Sequence, residues 1–128
     1  MFAGIRFLAR IAPTLGHIAK YKPDTTYTLA DVLEERATEF ADHPFVLFED
    51  RRVSYGEMNA QSNRIAHWAH GEGLRHGDVV ALQMENRPEY LSRWMGLAKL
   101  GVVTALINTN LAGQPLRHAL ATSNARHL

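Results

Sequence analysis

Apolar positions along the chain follow a helical period in some stretches and run unbroken in others, and the switches between the two patterns divide it into elements. Leu29, Val32, Leu33, Ala37 and Phe40 recur at spacings of three and four, with Arg36 as a polar interruption and Glu34, Glu35 and Glu39 on the other side. This predicts an amphipathic helix over Leu29–Phe40. Thr28 with Asp31 three residues on forms a capping box with Asp in place of Glu, and Pro44 closes the segment. Phe45–Phe48 reads as a strand, Glu49–Arg52 as a turn and Val53–Tyr55 as a returning strand. Ser54 and Glu57 make a full capping box opening a helix from about Tyr55 to His70, with Met58, Ile65, Ala66 and Ala69 inward and Gly71 and Gly73 as the stop.

The second half alternates. Val79–Leu82 is a buried-strand candidate. Pro88, tolerated in a first turn, starts a helix carrying Tyr90, Leu91, Trp94, Met95, Leu97, Ala98 and Leu100, which Gly101 ends. Val102–Ile107 is the next strand, Asn108–Asn110 a loop, and Gly113-Gln-Pro115 leads into a helix to about Thr122. Ala125–Leu128 opens a further strand. Strand, helix, strand, helix, strand predicts an α/β fold with a parallel sheet covered by helices. Two or three parallel strands with an open edge are hard to stabilise, so the sheet is expected to be incomplete here and Leu128 to lie inside a longer protein.

The first 22 residues follow a different pattern. Met1–Pro23 holds no acidic residue, while Arg6, Arg10, Thr14, His17 and Lys20 form one helical stripe on an otherwise apolar cylinder. A basic amphipathic helix over 1–22, followed by a domain over 23–128, is the expected division. Phe2, Ile5, Leu8, Leu15 and Ile18 are its candidate membrane-contact residues. Packing on the rest of the protein, with Pro13 bending the helix, accounts for the pattern equally, and an organelle-targeting presequence is a third reading.

Composition narrows the chemistry. The 128 residues include 14 Lys+Arg and 13 Asp+Glu, for a net charge of +1, which gives no general drive toward nucleic acid. With no cysteine, disulfides, zinc thiolates and a cysteine nucleophile are excluded. Gly71-Glu-Gly73 follows a helix rather than a strand and reads as a helix stop, not a phosphate loop. His67, His70 and His76 lack the carboxylate partners of a metal motif, Ser54 is explained as a cap, and Arg51 and Arg52 as solvated turn residues. Two loops at strand carboxyl ends stand where open α/β sheets gather ligands: Asn86-Arg87-Pro88-Glu89, and Asn108-Thr109-Asn110 as a candidate crevice loop. An ordinary connection and Asx turns explain both as well.

Val53-Ser-Tyr-Gly-Glu-Met-Asn-Ala60, Ser62-Asn-Arg-Ile-Ala66, Gly77-Asp-Val-Val-Ala-Leu82 and Glu85-Asn-Arg-Pro-Glu-Tyr90 together resemble the front of the adenylate-forming acyl-CoA synthetases. Gly96–Gly101 followed by Ala105–Leu111 is similar, more narrowly, to the fatty-acid transport protein branch, the long- and very-long-chain acyl-CoA synthetases. The resemblance implies a ligase that joins fatty acid to CoA through an acyl-adenylate, using ATP, Mg2+ and CoA. It carries no catalytic, cofactor-binding or metal residue onto these positions, because the family's phosphate loop, nucleotide motifs and catalytic lysine lie beyond the equivalent of Leu128. It implies that these residues alone are inactive, that the remainder of the same chain and a fatty acid are the partners, and that the protein is cytoplasmic, peripheral at the inner membrane face. The alternative is a non-enzymatic module that docks on a membrane or partner through the first helix.

Overall fold

The computed structural model describes residues 26–128. The expected helix over 1–22, with Phe2, Ile5, Leu8, Leu15 and Ile18, lies outside the described residues. Eight elements follow: α1 (Leu29–Glu39), β1 (Pro44–Phe48), β2 (Arg51–Ser54), α2 (Tyr55–Gly71), β3 (Val79–Leu82), α3 (Pro88–Lys99), β4 (Val103–Leu106) and α4 (Gly113–Ser123).

Both expected capping boxes form. The Thr28 N–H donates to Asp31 Oδ2 at 2.7 Å and Thr28 Oγ1 accepts from the Asp31 N–H. The Ser54 N–H donates to Glu57 Oε2 at 2.8 Å and Ser54 Oγ accepts from the Glu57 N–H at 3.2 Å. The second box makes Ser54 the N-cap, so α2 begins at Tyr55 as its capping box predicts, and the returning strand ends at Ser54. The hairpin turn is correspondingly short. Only Glu49 and Asp50 form it, and Arg51 and Arg52 belong to β2, opposite Phe48 and Leu47. That corrects their expected place in the turn: antiparallel pairing continues to within two residues of the reversal.

Among the described residues two apolar clusters make the core. Leu33, Val53, Met58 and Met95 are buried together beside the hairpin, with Phe45, Val46, Tyr55 and Leu91 against them. Ala69, Leu74, Leu97 and Val102 are buried beneath the parallel strands, with Val80 and Leu100. Helix α3 serves both clusters through Met95 and Leu97 and crosses α2 very closely at Gly96. A Cβ built on Gly96 would lie 2.6 Å from the Ser62 carbonyl oxygen and 2.7 Å from Ile65 Cβ, so glycine is what lets the two backbones approach.

β3 and β4 pair in parallel, Val79 opposite Val103 through Leu82 opposite Leu106. On the other side of β3, the Arg126 N–H donates to the Val79 carbonyl at 3.1 Å and the Ala81 N–H to the His127 carbonyl at 2.8 Å. Ala125–Leu128 therefore begins to pair where the sequence placed a further strand, and β3 becomes the middle of the sheet.

Candidate functional site

The order of these strands dictates where a crevice opens. From β3 the chain passes through α3 to β4 on one side, and from β4 through α4 back across β3 to the other. Right-handed crossovers in opposite directions put α3 and α4 on opposite faces of the sheet. The loops leaving β3 and β4 then diverge, and a gap opens between the carboxyl ends of the two strands.

A cleft of about 440 Å³ lies at that place. Met84, Glu85, Asn86 and Tyr90 line it from the β3 side, and Leu106, Ile107, Asn108, Thr109 and Asn110 from the β4 side. The structure thus brings together two loops that the sequence offered separately. Asn86 faces the crevice loop Asn108-Thr109-Asn110, and Tyr90 from the first turn of α3 completes the wall.

Each loop is held by identifiable bonds. Asn108 Oδ1 accepts from the Asn110 N–H at 2.9 Å, an Asx turn that fixes the loop from within. Gln83, one residue past β3, donates through Nε2 to the carbonyls of Asn108 and Leu111, both at 3.1 Å. Sequence reasoning missed Gln83. Its one signal was an amide directly after a buried strand, beside the place where a neighbouring loop must turn. On the lip, Arg87 pairs with Glu85 at 2.9 Å, both largely exposed.

The β3-side wall is tied to the hairpin. Arg51 Nη2 donates to Glu89 Oε1 at 2.7 Å across 38 residues of chain. The Arg51 hydrogen bond is the main cause holding the Glu89 carboxyl below the usual carboxylate range; its own backbone N–H helps, and burial opposes. Glu89 raises the Arg51 guanidinium in return. Glu89 Oε2 is buried with no hydrogen-bond partner among the described residues. Arg51 is thus engaged, not the freely solvated turn residue expected. Among the described residues the histidines do not gather: His67 and His70 are exposed on α2, and the His76 ring lies against Gly101. Trp94 is half-buried beside the buried Met95, and Trp68 is largely exposed at 59%.

Chemically the cleft offers amides, a hydroxyl, a phenol and one carboxylate. Among the described residues no lysine or arginine lines it. A magnesium-bound triphosphate needs cationic and backbone donors to offset its charge, so these residues alone do not fit one.

Comparison with known proteins adds the context. A family model described as AMP-binding enzyme matches residues 33–128. Rat long-chain fatty acid transport protein 2 is 34% identical over 97% of this chain and 20% of its own length. The crotonobetaine/carnitine–CoA ligase of Salmonella paratyphi A is 36% identical over 67% of this chain and 18% of its own. Among solved structures, the N-terminal subdomain of Klebsiella oxytoca NpsA superposes with a TM-score of 0.73 at 28% identity, over 77% of this chain and 26% of that one. The anthranilate CoA ligase AuaEII in complex with anthranoyl-AMP gives 0.73 at 26% identity, over 78% and 19%. The chain spans about a fifth of the length of the curated relatives it matches most fully.

Proposed function

This chain belongs to the AMP-binding enzyme family, and we propose that it forms the front of the large adenylation domain of a long-chain fatty acid–CoA ligase. In that reaction the fatty-acid carboxylate attacks the α-phosphorus of ATP, releasing pyrophosphate and leaving an acyl-adenylate. The CoA thiol then attacks the acyl carbon and AMP departs. Adenylation exchanges a poor leaving group for a good one. The observation that carries the reading is the 34% identity with the rat long-chain fatty acid transport protein over nearly the whole chain. ATP and CoA are the substrates proposed for the whole enzyme, with Mg2+ to offset phosphate charge. Residues 23–128 contribute the scaffold and one pair of cleft walls, and the phosphate-handling groups come from elsewhere in the enzyme. These residues alone are then catalytically silent.

Two measurements test this. Pyrophosphate–ATP exchange driven by a long-chain fatty acid is expected to be undetectable with the 128 residues alone. Residues 28–128 grafted in place of the matching part of the rat relative are expected to support such exchange at a rate comparable to the unaltered protein. A folded graft without exchange, beside an active parent, contradicts the reading.

The proposal extends to residues 1–22 as a peripheral membrane contact at the inner face, supported by the acid-free basic stripe and by Phe2, Ile5, Leu8, Leu15 and Ile18. Among the described residues no helix is long and apolar enough to cross a membrane. Removal of residues 1–22 is expected to abolish co-sedimentation with anionic liposomes, and equal binding without them would reject the contact.

A further inference from the structure

The two scaffold helices open on complete capping boxes, but α3, whose first turn forms a wall of the cleft, does not. Its N-cap is Arg87, which makes no side-chain cap bond. What fixes the start of α3 is the buried Pro88 and, next to it, Glu89 held by Arg51 of β2 at 2.7 Å. Glu89 lies between Asn86 and Tyr90, both of which line the cleft. Its backbone carbonyl also takes Ser92 Oγ and Arg93 Nη1, each at 3.0 Å, so one residue joins the hairpin, the first turn and the body of α3.

We propose that Arg51 is a positioning residue for the cleft: acting through Glu89, it sets the first turn of α3 and with it Asn86 and Tyr90. This deepens the proposed function, since it rests on the cleft being the substrate-handling site, but its test does not use turnover. The bond is made through a single guanidinium nitrogen, so an ammonium at the same place can replace it, whereas a neutral side chain cannot.

Hydrogen exchange on the whole chain reads the effect directly, because the Tyr90 N–H donates to the Arg87 carbonyl within that first turn. Arg51→Gln is expected to speed exchange at Tyr90 and Leu91 by about threefold, the scale of one half-exposed ion pair, and to leave the α2 amides around Met58 unchanged. Arg51→Lys is expected to stay near the parent rate. Arg51→Glu combined with Glu89→Arg is expected to recover most of it. An unchanged Tyr90 rate in Arg51→Gln, uniform acceleration across the chain, or an Arg51→Lys variant as fast as Arg51→Gln would each overturn the assignment. Failure of the grafted enzyme to turn over would count against the proposed function and leave this result standing.

Discussion

Helices α1 and α2 begin on side chains that complete them; α3 and α4, which rise from the carboxyl ends of the parallel strands, begin without any. Thr28 and Ser54 each close a reciprocal box, while the N-caps of α3 and α4, Arg87 and Ala112, offer no side-chain bond. The first pair belongs to the region around the hairpin cluster, and each start is closed by a residue three positions further on. The second pair borders the cleft, where order comes from distant partners: Arg51 reaching Glu89, and Gln83 holding the loop at Asn108 and Leu111. The difference teaches that the two kinds of helix start are encoded differently. One is local in sequence, and the other is assembled by tertiary contacts.

The largest expected effect strikes the scaffold that both regions share. At Gly96 a new Cβ would collide with the Ser62 carbonyl, which is backbone and does not yield easily. Gly96→Ala is therefore expected to destabilise by about 2 kcal/mol, overpacking outweighing the helix-propensity gain of about 1 kcal/mol. The urea midpoint measures it, and a stabilised variant would mean that α2 and α3 separate freely.

Next come the two kinds of helix start. Ser54→Ala is expected to cost about 1 kcal/mol through loss of its cap. Arg87→Ala, at a start with no cap to lose, is expected to stay within about 0.5 kcal/mol. Equal costs would erase the contrast between scaffold and cleft.

The smallest effect is a pH dependence. The hydrogen bond from Thr28 chiefly holds the Asp31 carboxyl below its ordinary value, as Arg51 does for Glu89. For a group whose folded pKa is depressed, the added stability is present above its unfolded pKa, about 4 for a carboxylate, and disappears as pH falls through the folded value. Thermal stability is thus expected to decline only below the ordinary carboxylate range. In Arg51→Gln stability at neutral pH should be lower and the acid decline shallower, because the folded Glu89 carboxyl is no longer held below its unfolded value, and identical acid profiles would remove Glu89 from the account.

What the sequence revealed divides along the same line. Thr28 with Asp31 and Ser54 with Glu57 were legible because a capping box spans three residues. Gly101, with φ at +69°, marked the end of α3 for a similarly local reason. The pairing begun by Ala125–Leu128 was legible from its place in the alternation. The crevice loop was named correctly as a loop at a strand's carboxyl end, but its partnership with Asn86 and Tyr90 depends on strand order, which periodicity does not encode. Arg51 was misplaced in the turn because two arginines after Glu49-Asp50 carry no strand signal of their own. Their position follows from the register against Leu47 and Phe48. Nor did α3's pattern reveal the closeness at Gly96, since the constraint is imposed by the Ser62 backbone of another helix.

Calorimetric titration of the whole chain with Mg–ATP tests most directly the claim that these residues shape a cleft without themselves handling phosphate. A cleft walled by Asn86, Tyr90, Asn108, Thr109 and Asn110, with no cationic side chain lining it among the described residues, predicts no saturable binding up to about 1 mM, roughly −4 kcal/mol. Saturable one-to-one binding at micromolar ATP, lost on substitution of the cleft residues, would contradict it.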